Sequence, residues 1–215
     1  MTEGVRLADE VGLAEFSMNK LAASLNSATM SLYRYIPCKD DLLMLMLDVA
    51  YGPIPAKAPS PTPWRAGLEF WARSLSAVYG THPWMLDVPI SGLPMTPNAL
   101  QWIDYGLQSL SNSGLGDRDQ LGALLLLDGH VRSSARLAND LEDAGGDAPP
   151  APPFSETMSQ LVDEELYPAL SRLIASGAGS DTDPAGFEFG LARVLDGIED
   201  LTPRGQRGSD ARSSR

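Results

Sequence analysis

Between Ser17 and Lys39 the sequence carries three cations, Lys20, Arg34 and Lys39, and no acid, in a chain whose formal net charge is -12. Two tyrosines flank the middle cation in "SLYRY", Ser31 to Tyr35. Lysine and arginine neutralise phosphates, and hydroxyl side chains reach phosphate oxygens or base edges, so this mixture suits a nucleic-acid surface. The acidic remainder repels polyanions, which confines any such contact to this stretch. Nothing comparable suggests catalysis. No Ser/His/Asp set, phosphate loop or paired-carboxylate motif stands out, and "DEE" at 163–165 reads as a solvated helix face, so an enzyme is not expected. His82 and His130 each lack a second metal ligand at helical spacing, so no metal or cofactor is expected.

The elements that must hold the cationic cluster read as helices. "VRLADEVGL" places Val5, Leu7, Ala8 and Val11 at helical intervals, with Gly12 set to stop the helix. Ser17 is an N-cap ahead of "MNKLAASL", where Met18, Leu21, Ala22 and Leu25 form the apolar face. Asn26 tolerates positive φ and marks a tight turn. A third, short helix covers Thr29 to Tyr35. Pro37 ends it, and "KDDLLMLMLDVAY" makes a fourth helix with Asp40 and Asp41 at its positive end. Helix, tight turn and short second helix is helix-turn-helix spacing.

Residues 52–63 hold five prolines in twelve positions, so an extended linker is expected over 51–63. From Trp64 to Leu201 the pattern is helical again. A flexible break is expected at 146–154, and Pro168 must kink or divide the helical stretch around it. Phe187, Leu191, Val194, Leu195 and Ile198 form one apolar stripe on the last helix. The tail, 202–215, is rich in Arg, Gly and Ser and is expected to be disordered. Cys38 is the only cysteine, so no intrachain disulfide can form. The acids Glu3, Asp9, Glu10 and Glu15 argue against a signal peptide, and "LGALLLL" at 121–127 is too short to span a bilayer. The expectation is a cytoplasmic, all-α protein with no membrane partner: a helix-turn-helix domain over 1–50 and a helical domain over 64–201.

The stretch "LADEVGLAEFSMNKLAASLNSATMSLYRYIPCKDDLLMLMLD" resembles the DNA-binding domain of the TetR family of transcriptional regulators. The resemblance rests on the "GL…FSM" entry, the "LA…L" second helix, "SLYRY" in the recognition helix and "K-D-x-L" opening the fourth. "FEFGLARVLDGIEDL" is similar to the last helix of tetracycline-repressor-like C-terminal domains. The resemblance implies that the third helix enters the major groove, with Thr29, Met30 and Ser31 at base edges. Tyr33, Arg34 and Tyr35 would reach the backbone or the last base, Ser17 and Lys39 would hold phosphates, and Lys20 adds to the cationic face. One of the two tyrosines is also open to a plainer reading, as core. Leu21, Leu25, Leu32 and Ile36 are expected inside. Three positions depart from the family. Only the end of the first helix is expected after Met1, Asn26 stands where Gly is usual, and Ser27 replaces a small apolar residue.

The family also implies C-terminal helices that dimerise and enclose a ligand. Pocket candidates are Trp71, Leu75, Trp84, Met85, Trp102, Tyr105, Leu126 and His130, a largely apolar set. For His130 a satisfied core position is the plainer reading. His82 suits a helix-end cap. Dimer candidates are Leu124, Leu127, Val131, Leu191, Val194, Leu195 and Ile198, which could instead face their own core. The implied function is a ligand-responsive regulator, a repressor by the family's usual mode. It would bind an inverted-repeat operator in double-stranded DNA as a homodimer and respond to a small apolar effector. The rival expectation is a helical ligand-binding dimer with impaired DNA binding.

Overall fold

The structure, a computed structural model, describes residues 1–55, 63–89, 92, 95–145, 161–176 and 186–203, all helical, turn or extended without strands. The chain begins with α1 (Thr2–Glu15), which starts ahead of Val5 and is broken at Gly12, where φ is +71°. Val5, Leu7 and Ala8 are buried, while Arg6 pairs outward with Glu3 and Glu10. In α2 (Met18–Ser24) the Ser17 hydroxyl accepts the Lys20 backbone N–H at 3.2 Å. The helix ends at Asn26, with φ +50°. There Ser27 N–H bonds Ala22 O at 2.9 Å and Asn26 N–H bonds Ala23 O at 3.1 Å, the paired closure usually built on glycine. The Asn26 departure is thus accommodated without losing the turn. Leu25 is a correction: it caps this end and is 47% exposed rather than core.

The next helix, α3 (Thr29–Tyr33), is two residues shorter than expected. The backbone N–H groups of Tyr35 and Ile36 both turn back to Leu32 O, which tightens the chain ahead of Pro37. In α4 (Lys39–Tyr51) Leu42 and Met46 are fully buried, and Gly52 closes the helix at φ +58°.

The larger body consists of α5 (Trp64–Thr81), a 3-10 turn (Pro83–Asp87), α6 (Pro97–Leu110), α7 (Asp117–Gly145), α8 (Pro168–Ala175) and α9 (Phe187–Leu201). Pro168 does not kink a helix; it begins α8, where its missing N–H is not needed. Most of the linker, residues 56–62, the 146–154 break and residues 204–215 lie outside the described residues. No described helix is long and apolar enough to cross a membrane.

Three glycines set the spacing of this body. A Cβ on Gly67 of α5 would lie 2.6 Å from Ser109 Oγ on α6. One on Gly106 of α6 would lie 2.5 Å from Leu124 Cδ1 on α7, and one on Gly190 of α9 would overlap the His130 ring on α7. His130 bonds the Phe187 carbonyl oxygen through Nε2 at 2.9 Å and stacks on the Phe187 ring with centroids 5.7 Å apart.

The expected dimer residues sit elsewhere. Leu124, Leu127, Val131, Leu191, Leu195 and Ile198 are buried within this chain, and Val194 is half-buried against the same core. They join α7 to α5, α6 and α9, because a helix as apolar as "ALLLLDGHV" buries one face before it offers another. Exposed apolar residues of these helices include Leu125, Leu126, Leu137 and Leu141 on α7 and Phe189 on α9.

Gly190→Ala is expected to lower stability by about 1–3 kcal/mol, because the His130 ring is pinned by two contacts and cannot step aside. Urea denaturation reads this directly, and an unchanged midpoint would mean that the α7–α9 contact yields freely.

Candidate functional site

The turn built on Asn26 aims α3 outward. Met30 is 78% exposed, Tyr35 73% and Tyr33 43%, so neither tyrosine is core. Thr29 and Ser31 are half-buried. Thr29 Oγ1 donates to Asn19 Oδ1 at 2.9 Å, tying the start of α3 to α2. The Arg34 guanidinium lies 4.9 Å from the Tyr35 ring centroid and donates to its hydroxyl at 2.8 Å. This stacking holds the cation at the end of α3. Lys39 Nζ donates to Phe16 O at 3.1 Å, which anchors it beside the entry to α2. Ser17, Lys20, Arg34, Tyr35 and Lys39 therefore sit around one small unit of three short elements. Lys20 is not free: its Nζ is 2.7 Å from Glu15 Oε2, and the pairing holds the Glu15 carboxyl below its usual range. Glu15 lies two residues before the acid-free window and escaped the charge count.

Below this unit lies a cavity of about 450 Å³. Of the pocket candidates, Trp71, Leu75, Met85 and Trp102 line it; Trp84, Tyr105, Leu126 and His130 do not. Trp84 is a correction with a clear cause. Its indole N–H donates to Asp9 Oδ1 at 2.7 Å, and His82 Nδ1 meets the same oxygen at 2.8 Å, so both side chains bind the 3-10 turn to α1. Tyr105 packs on Phe70 with ring centroids 5.9 Å apart. Leu126 is 59% exposed on the outer face of α7, and His130 belongs to the α7–α9 contact.

The rest of the wall was missed by the sequence reading. Met44, Leu47 and Tyr51 come from α4, which the sequence assigned to the helix-turn-helix unit alone. Tyr79 enters from α5, Thr96 and Ala99 from the start of α6, and Leu121, Leu124, Asp128 and Arg132 from α7. The signal was present in "LLLLDGHVR", where an acid and a base one helical turn apart interrupt an apolar run.

Most polar groups of the wall are engaged. Trp71 donates through Nε1 to Trp102 O at 2.9 Å, and Trp102 donates to Gly52 O at 3.0 Å. Arg132 Nη2 donates to Leu86 O at 2.9 Å and Val88 O at 3.1 Å, securing the 3-10 turn. Burial pushes the Tyr51 and Tyr79 hydroxyl pKa values up, so both stay neutral donors. Burial also raises the Asp128 pKa, against the opposing pull of Arg132.

The two regions meet along α4. Its thirteen residues span about 20 Å, from the helix-turn-helix unit at Lys39 to the cavity wall at Tyr51. Near its far end, Asp48 Oδ1 accepts the backbone N–H groups of Asn98 at 2.8 Å and Ala99 at 3.3 Å, at the start of α6. Asn98 Nδ2 returns a bond to Asp48 O at 2.9 Å. Asp48 therefore caps a helix that is not its own.

Comparison with known proteins agrees with this architecture. Residues 58–202 match the family model for the tetracyclin repressor-like C-terminal domain. The HTH-type transcriptional repressor DrrR1 of Streptomyces coeruleorubidus is 36% identical over 228 aligned residues, covering 96% of this chain and 78% of that protein. The HTH-type transcriptional repressor Rv1353c of Mycobacterium tuberculosis is 27% identical, covering 88% of this chain and 75% of that one. The crystal structure of the Streptomyces coelicolor TetR family protein ActR in complex with actinorhodin shares the fold, with a TM-score of 0.76 at 24% identity over 92% of this chain and 93% of that one. The chain belongs to the TetR family of transcriptional regulators rather than to an enzyme class.

Proposed function

We propose that this chain is a ligand-responsive repressor, which binds an inverted-repeat operator as a homodimer and loses operator affinity when a small molecule fills the cavity. The observation that carries the reading is α4, which has one end in the recognition unit and three side chains in the cavity wall. The repressor assignment draws on the names of the relatives DrrR1 and Rv1353c. An occupant displaces the start of α6, Asp48 carries that shift into α4, and the tilt of α4 resets the spacing of two recognition helices. The exposure of Met30, Tyr33 and Tyr35 and the absence of acids from Asn19 to Tyr35 favour DNA binding over the rival ligand-binding dimer. Thr29, Met30 and Ser31 meet base edges, while Arg34, Tyr35, Lys39 and Ser17 meet phosphates. Lys20 exchanges Glu15 for a phosphate. The homodimer forms through the outer face of α7 and α9, where Leu126, Gly129, Ser133 and Phe189 are exposed.

Selection of bound duplexes from random sequence tests the reading first: an inverted repeat must emerge, bound less tightly as salt rises. On that repeat, Arg34→Ala is expected to weaken binding about tenfold and to reduce the log–log salt slope by about one. An unchanged slope would remove Arg34 from the phosphate contacts. Leu126→Glu is expected to convert the dimer to a monomer in sedimentation velocity; a persistent dimer would move the interface off this face. Asp48→Ala removes the cap of α6, a change of about 1 kcal/mol, and is expected to shrink ligand-induced operator release roughly fivefold. Full retention of release would exclude Asp48 from the coupling path.

A further inference from the structure

Asp128 lines the cavity from α7 and has, among the described residues, no hydrogen-bond or ion-pair partner. Arg132, one helical turn along, is the nearest cation that acts on it. Its Nη2 is bonded to Leu86 O and Val88 O, and the guanidinium lies 5.9 Å from the Tyr79 ring centroid. The other titratable groups facing the carboxylate are the hydroxyls of Tyr51 on α4 and Tyr79 on α5, both neutral. A half-buried carboxylate held this way is costly to ionise while the cavity is empty. The surrounding wall is aromatic, with Trp71, Trp102, Tyr51 and Tyr79.

We infer that Asp128 is the counter-ion of a protonated amine carried by an aromatic effector; the inference rests on the ligand-responsive reading above. The aromatic wall stacks on the flat body of the molecule and stabilises its cation through the ring faces. A cavity of about 450 Å³ admits a molecule of a few fused rings. An anionic effector would face the Asp128 carboxylate, and Arg132, whose Nη2 holds the 3-10 turn, has only its remaining donors to offer it. A neutral effector would leave the carboxylate in a drier site with no partner. An amine supplies what the site lacks and draws Asp128 into its ionised form.

Two consequences have a definite sign. Because the folded-state pKa of Asp128 is raised, ionisation opposes folding of the empty protein. Stability is lost as pH rises from the unfolded carboxylate's range through the raised value, so Asp128→Asn melts higher than the parent at neutral pH, and the gain fades in acid. Amine affinity runs the other way and falls as pH drops through the Asp128 pKa.

The test uses three probes of one shape, followed by quenching of tryptophan fluorescence in the full chain: 9-aminoacridine, a cation at neutral pH; acridine, neutral; and anthracene-9-carboxylate, an anion. The cation is expected to bind at least about tenfold tighter than the other two, and Asp128→Asn to erase that preference while leaving acridine affinity within about twofold. Asp128→Glu, which keeps the charge, retains the preference. If acridine or the carboxylate binds best, or if Asp128→Asn leaves the cation's affinity unchanged, the amine assignment falls while ligand binding stands. An Asp128→Asn variant that melts lower would mean that the carboxylate is already paired in the empty protein, and overturns the assignment as well. Failure of all three probes to bind overturns the amine assignment together with the ligand-responsive reading.

Discussion

The carboxylate of Asp48 at the amino end of α6 is the contact on which the arrangement depends. A helix start presents backbone N–H groups with no partner inside the helix, and α6 satisfies two of them on a side chain from α4. The bond from Asn98 back to Asp48 O makes the contact reciprocal, and Trp102 adds a third tie to Gly52, just past the end of α4. Polar contacts with fixed geometry transmit a shift in a way that apolar side chains sliding past one another do not. The recognition unit is thereby attached to the wall of the cavity, not merely packed near it. Asp9 makes the parallel attachment for α1, through His82 and Trp84 on the 3-10 turn that also contributes Met85 to the cavity.

The recognition helix draws its order from its surroundings. Five residues cannot sustain an α-helix alone in water. The turn at Asn26, the Thr29–Asn19 bond and buried Ile36 hold α3 in place. Its exposed side chains are consequently free of structural duty. Met30, 78% exposed, is the clearest case.

Much of this was legible in the sequence because it is local. Ser17 as a cap, Gly12 as a break, Asn26 as a left-handed turn and Pro37 as a stop each follow from the backbone preferences of one residue. Half of the cavity candidates also lined it, since large aromatic and sulfur-bearing residues tend to bury somewhere. What failed were questions of facing. Trp84 was drawn to Asp9, seventy-five residues away, by a hydrogen bond that no periodicity announces, while His82, at the end of α5 as expected, meets the same carboxylate. Leu124 and Leu127 turned inward while Leu125 and Leu126 turned outward, and four adjacent leucines give no hint of which will do so. Asp128 was passed over because a single acid in an apolar run looks like a surface position until its neighbours are known. Tyr51 was overlooked because α4 was assigned to the helix-turn-helix unit, while its last turns also line the cavity.

The three glycine contacts have a mechanical meaning. At each joint a side chain of the facing helix fills the space a Cβ would take: Ser109 of α6 against Gly67 of α5, Leu124 of α7 against Gly106 of α6, and the His130 ring of α7 against Gly190 of α9. Behind the cavity the helices thus interlock through side chains, whereas in front α4 is tied to the start of α6 by the Asp48 and Asn98 bonds. Under the proposed ligand response, the bulk of an occupant would be felt first at α4.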